Sequence, residues 1–146
     1  MDEIKAADLA GFNAPEGFKP AGFGIEFLDQ AGPYFIKSEK DCHIVGMRIA
    51  ASHVNSWHVA HGGVMATLAD VALSLQVFRS TRPPQPLSTI SLSTNFISGA
   101  KLDDWLEAHC RIDRIGKSIA YVSGHILNGD MTAMTMTAAF KLLKTA

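Results

Sequence analysis

One stretch limits the fold more than any other. Gly62 to Phe78 contains no proline and is apolar on nearly every side, through Val64, Met65, Leu68, Val71, Leu75 and Phe78. Such a segment predicts one long helix buried on most of its faces. Arg79 and Arg82 follow at its C-terminal end, where cations suit the helix dipole, and Pro83-Pro84 stop it. Four β-like runs come next: Leu87 to Ile97, Trp105 to Ile115, Ile119 to Leu127 and Thr132 to Leu143. Gly99, Gly116 and Asn128-Gly129-Asp130 separate them, and the Asn-Gly pair is a hairpin signal. Two further strands within residues 34–51 precede the helix, joined by the charged turn Lys37 to Asp41, and Ser52 to Ala60 reads as a loop. The order of two strands, one buried helix and four antiparallel strands predicts an α+β domain. In it, one curved antiparallel sheet wraps a single central helix.

Residues 1–34 differ in texture. Pro15, Gly17, Pro20, Gly22, Gly24, Gly32 and Pro33 punctuate them, so they read as an arm laid over a domain of residues 35–146. Ala6 to Phe12 has the makings of a short helix, and Phe18, Phe23 and Phe27 are the natural anchors.

Bulk properties narrow the function. With 146 residues, 47% hydrophobic and 18% charged, the chain can bury one ordinary core and is not expected to be disordered. A formal net charge of −1, with no basic stripe, argues against nucleic acid. No apolar run approaches the roughly 20 residues of a membrane span, and the acidic start Met1-Asp2-Glu3 lacks the apolar core of a signal peptide. Cys42 and Cys110 lie far apart in strand-like runs and read as small hydrophobes. A cytoplasmic protein with no membrane and no nucleic-acid partner is expected.

The chemistry concentrates in Asn55-Ser-Trp-His-Val-Ala-His61-Gly-Gly-Val-Met-Ala-Thr-Leu-Ala-Asp70. Gly62-Gly63 stands where the helix begins, although glycine is a poor helix former. Without side chains, this turn lets a substrate carbonyl approach backbone N–H groups at the positive end of the dipole, a setting that favours a developing oxyanion. Asp70 falls in the middle of the helix, where it caps nothing and where a lone carboxylate is expensive. Gly63, Thr67, Asp70 and Ser74 are spaced by four, three and four residues and so share one polar stripe. Gly63 and Asp70 are roughly 10 Å apart along a helix. That is too far for one helix to bring both to the same carbonyl, but two paired copies could do so.

This stretch resembles the motif of the hotdog-fold thioesterases, nearest to the phenylacetate-pathway (PaaI-like) branch, in the spacing of Asn55, His61-Gly62-Gly63 and Asp70. The likeness extends over roughly residues 40–143, through the strand Thr89 to Ala100 and the hairpin Arg114-Ile-Gly-Lys-Ser118. It implies a hotdog homodimer, often paired again into a homotetramer, with sites at the dimer interface that hydrolyse an acyl-CoA thioester and need no cofactor or metal. It further implies that Asp70 activates water or attacks the carbonyl, and that the Gly63 N–H polarises that carbonyl. Asn55 would orient water or substrate, and Thr89 (or Ser91, two residues on) would assist the water. His61 and Gly62 would shape the turn, and Arg114, Gly116, Lys117 and Ser118 would meet coenzyme A. An apolar acyl pocket is expected from Met65, Leu68, Phe96 and the N-terminal aromatics. The sequence departs from the family pattern at His58 and Gly99, where glycine and proline are common.

Rival readings are weaker. Gly116-Lys117-Ser118 looks like the end of a phosphate-binding loop, but the first glycine of that motif would be residue 111, which is Arg. No G-x-S-x-G elbow exists. His53, His58 and His61 crowd one loop without a zinc spacing, and His43, His109 and His125 read as cross-strand surface residues. One hotdog hydratase branch carries His five residues after its Asp, where this chain has Leu75. A non-catalytic acyl-CoA sensor would gain nothing from Asp70.

Overall fold

A computed structural model describes residues 9–144. Strand β1 (Lys19–Pro20) and helix α1 (Glu26–Ala31) precede β2 (Phe35–Glu39) and β3 (Cys42–Arg48). The long helix α2 (Gly62–Ser80) leads into β4 (Leu87–Phe96), β5 (Trp105–Ile115), β6 (Ile119–Asn128) and β7 (Met131–Leu142). The seven strands form one antiparallel sheet in the order β1-β2-β3-β5-β6-β7-β4. α2 packs against β3, β4, β5, β6 and β7, so the sheet curves around it as a hotdog fold.

The period of two in β7 shows how the sequence makes the sheet's inner face. Met134, Met136, Ala138, Phe140 and Leu142 are buried against the helix, whereas Thr135 and Thr137 face outward. Burying each such large side chain is worth about 1.5–3 kcal/mol. β5 contributes Leu106, Ala108 and Cys110, and α2 contributes Met65, Leu68, Leu73 and Val77. Burial pushes the Cys110 thiol up to about 12, so it stays protonated, and Cys42 is half-buried. Outside the sheet, His109 and His125 lie opposite each other on β5 and β6 with stacked rings 5.6 Å apart.

Gly124 on β6 shows how closely two strands approach. A Cβ there would strike the carbonyl oxygen of His109 on the neighbouring strand, and that backbone cannot retreat without breaking the β5–β6 ladder. Gly124→Ala should therefore cost about 1–3 kcal/mol and lower Tm by several degrees. A melt coinciding with wild type would contradict this packing.

The arm differs from expectation in two ways. Ala10–Phe12 is a 3-10 turn; the remainder of the helix expected from Ala6, residues 6–8, lies outside the described residues. The arm also carries β1, which joins the sheet beside β2, and the six-residue α1. Arg48 fastens the arm through Nε to the Phe12 carbonyl (2.9 Å) and Nη2 to the Asn13 carbonyl (2.6 Å). Phe18 packs edge-on to Trp105, and Phe23 packs against Tyr34. Phe27, expected as an anchor, is instead 65% exposed.

Candidate active site

The loop before α2 is organised by two of its own side chains. Asn55 Oδ1 accepts the N–H of Trp57 at 2.9 Å and of Val59 at 3.4 Å, closing a tight turn. At the turn's corner His58 has φ +61, the left-handed region that glycine enters freely. That is a physical reason for the glycine common there in the resembled family. His53 is buried, and its Nδ1 accepts the Ala50 N–H at 2.8 Å. Its Nε2 therefore carries the proton and donates to the carbonyls of Ala31 and Gly32, both at 2.9 Å. The loop is thereby tied to the end of α1. Its histidines are spread over different tasks, and among the described residues no group of three or more His, Cys, Asp or Glu is arranged to hold a metal.

His61 is the N-cap of α2: its Nδ1 accepts the Gly63 N–H at 2.9 Å. Histidine is not a favoured cap, but Nδ1 two residues before the amide has the right reach. The Phe96 ring lies against Gly62, 3.4 Å from where a Cβ would stand, and Gly63 is exposed. The amide that a carbonyl would need is thus exposed and already shaped to meet an acceptor.

The polar stripe of α2 does not sit in an apolar interior. Thr67, Asp70 and Ser74 are half-buried and line an open groove of about 320 Å3. Thr67 Oγ1 donates to the Gly63 carbonyl at 2.8 Å and Ser74 Oγ to the Val71 carbonyl at 3.0 Å, so both hydroxyls are satisfied within the helix. Asp70 reaches across instead: Thr89 Oγ1 on β4 donates to Asp70 Oδ1 at 2.9 Å. The β4–β7 register shifts between Thr89 and Ser91. In this structure Thr89, and not Ser91, meets the carboxylate.

Met65 and Leu68 were expected in the acyl pocket. They are 2% and 0% exposed and belong to the core beneath the helix. Phe23 and Phe27 of the arm do line the groove, as expected of the N-terminal aromatics, whereas Phe96 does not; Ile25 and Leu28 of the arm, Leu75 and Phe78 of α2, and Leu87 of β4 complete its apolar lining. Periodicity could have placed Leu75 and Phe78 opposite the core, whereas Ile25 and Leu28 carry no signal beyond being apolar.

Arg114, Lys117 and Ser118 are exposed at the β5–β6 hairpin, whose turn is closed by the Gly116 N–H to the Ile119 carbonyl (2.8 Å). Ile119 pairs with Lys141, which pairs with Ser88 beside Thr89. The hairpin therefore lies at the same end of the sheet as the Asp70–Thr89 contact, two strands away, or roughly 10 Å.

Comparison with known proteins agrees with this geometry. The thioesterase superfamily model matches residues 58–135. A Pseudomonas aeruginosa protein named as an esterase (PA0474) is 37% identical over 131 residues, covering 89% of this chain and 98% of that one. The chain therefore belongs to the thioesterase superfamily. It is a thioester hydrolase with the PaaI-like hotdog fold. The PaaI protein of Escherichia coli superposes with a TM-score of 0.74 over 97% of this chain and 93% of that one, at 17% identity. A Bacillus halodurans protein (BH2602) solved with CoA superposes with a TM-score of 0.69 at 25% identity, over 76% of this chain and 74% of that one.

Proposed function

We propose that this protein hydrolyses the thioester of a small to medium aliphatic or aryl acyl-CoA to the free acid and CoA. One observation carries the reading above all: the Asp70 carboxylate, held by Thr89 at 2.9 Å, lines an open, mostly apolar groove. Asp70 acts there as general base or nucleophile. As base it takes a proton from water while the water oxygen attacks the carbonyl carbon, and the C–S bond then breaks to release CoA as thiolate. As nucleophile it attacks the carbonyl carbon, the C–S bond breaks to expel CoA as thiolate, and water opens the resulting mixed anhydride to the free acid and the Asp70 carboxylate. A thioester is already activated, so neither route needs a metal or cofactor.

The oxyanion of that step needs donors, and Gly63 of the same protomer lies too far along α2. The donors come from a second copy, with the Gly63 N–H of the partner subunit facing Asp70. An arriving carbonyl competes there with His61 Nδ1 for the exposed Gly63 amide. Asn55 positions water or substrate through its side-chain amide N–H groups, because its Oδ1 is taken by its own loop. Arg114 and Lys117 suit the phosphates of CoA, with Gly116 and Ser118 shaping the hairpin beneath them. The neighbour solved with CoA supports that ligand class.

Pairing is supported by β4. It is a ten-residue strand at the sheet's edge, with no neighbour beyond it among the described residues. Ile90, Phe96 and the adjoining Ile97 are 54%, 55% and 59% exposed along it. A long exposed edge that carries such apolar side chains invites a further strand, and a homodimer joined along β4 provides one, with a homotetramer as the next level of assembly. Among the described residues no helix is long and apolar enough to cross a membrane, and a cytoplasmic setting suits the substrate.

Thiol release from a panel of aliphatic and aryl acyl-CoAs, followed with a thiol dye, tests the reading. Turnover of at least one member is expected. No release from any of them, with acyl-CoA still bound, would replace hydrolysis by sensing or hydration.

A further inference from the structure

The end of α1 is fixed by buried His53, 2% exposed, through two 2.9 Å hydrogen bonds to Ala31 and Gly32. The chain beyond is fixed by the Ala21 N–H to the Tyr34 carbonyl at 2.9 Å. Yet this anchored segment holds Ile25 and Phe27 54% and 65% exposed, where they form the wall of the Asp70 groove. Their exposure is not needed for the arm's own packing, which Phe18 and Phe23 provide. The groove's floor runs along α2 from Thr67 past Asp70 and Ser74 to Phe78. The part from Asp70 to Phe78, eight residues of helix, is about 12 Å long. The groove's 320 Å3 falls at the lower end of the roughly 300–1,000 Å3 typical of small-ligand pockets.

We infer that Ile25 and Phe27 are specificity-determining residues: the arm forms the wall of an acyl channel that selects medium-length acyl groups over short ones. The inference rests on the acyl-CoA reading and deepens it. A thioester carbon at Asp70 fixes one end of the substrate. Its chain then follows the apolar side of the groove, past Phe27 and Leu75 toward Phe78. A short acyl group stops near Ser74 and leaves the wall unused. Each methylene fully buried is worth about fourfold in binding, so a chain that fills the channel gains by roughly tenfold or more over one that does not.

The test uses the full chain with octanoyl-CoA and butyryl-CoA, and with their non-hydrolysable thioether analogues. Thiol release and calorimetric binding are measured on wild type, Phe27→Ala and Ser74→Leu. Phe27→Ala removes the wall. Ser74→Leu fills the floor without stranding a partner, since the Ser74 hydroxyl bonds only to its own helix. Wild type is expected to prefer the octanoyl analogue by about tenfold or more, and both variants should lose most of that preference. A preference kept in both variants, or absent from wild type, would overturn the inference. Binding preference in wild type without any thiol release would retain the acyl channel and remove hydrolysis at Asp70.

Discussion

Asp70→Asn should lower kcat by at least about 100-fold, the usual scale of a positioned acid–base group. Asparagine matches aspartate in shape and keeps an oxygen to accept the Thr89 hydroxyl that now sits 2.9 Å from Oδ1. Asp70 is half-exposed, so the change neither strands a buried partner nor opens a cavity. What disappears is the negative charge that takes a proton or forms a bond. KM should move far less than kcat, and circular dichroism and light scattering should match wild type. Near-native turnover in this variant would remove Asp70 from the chemistry.

Ile90→Lys should have the second largest effect. Ile90 lies on β4 where the register shifts, immediately beside Thr89, and is 54% exposed in one copy. If β4 is the seam between two copies, the substitution places an unpaired charge in it, and such charges cost several-fold more than a lost contact. The chain should become monomeric at low micromolar concentration, keep its far-ultraviolet spectrum and lose at least about tenfold in kcat/KM, in line with an interface penalty of 2–5 kcal/mol. A monomer that retains wild-type turnover would contradict the shared site. A variant that stays dimeric would move the seam away from β4.

The central helix and the strands after it were legible because their signals are strong and local. Pro83-Pro84 ends α2 within three residues, and Asn128-Gly129 marks the β6–β7 turn. The arm was harder: α1 has six residues and β1 has two, lengths at which periodicity carries little information. The helix itself concealed which residues face the groove. An α2 that is apolar nearly all round makes Met65 and Leu68 look as available to substrate as Leu75 and Phe78, and only the curved sheet decides between them. The Asp70–Thr89 contact depends on a register shift between Thr89 and Ser91 that no residue type announces. The His61-Gly62-Gly63 turn was readable as a helix start, whereas the bond from Gly63 to His61 Nδ1 appears only in three dimensions.

The most direct test of the shared site mixes two inactive chains. Asp70→Asn lacks the carboxylate. Gly63→Pro lacks the amide donor, and proline is tolerated in the first turn of a helix, the more so because Gly62 before it has no Cβ to clash. After subunit exchange at equal ratio, half the dimers are mixed, and each mixed dimer holds one complete site built from the intact Asp70 of one chain and the intact Gly63 of the other. Thiol release from an acyl-CoA should therefore return to about a quarter of the wild-type rate, since one site in four is whole. If the mixture stays as inactive as its parents while subunits demonstrably exchange, Asp70 and Gly63 do not meet across the dimer, and the mechanism is wrong.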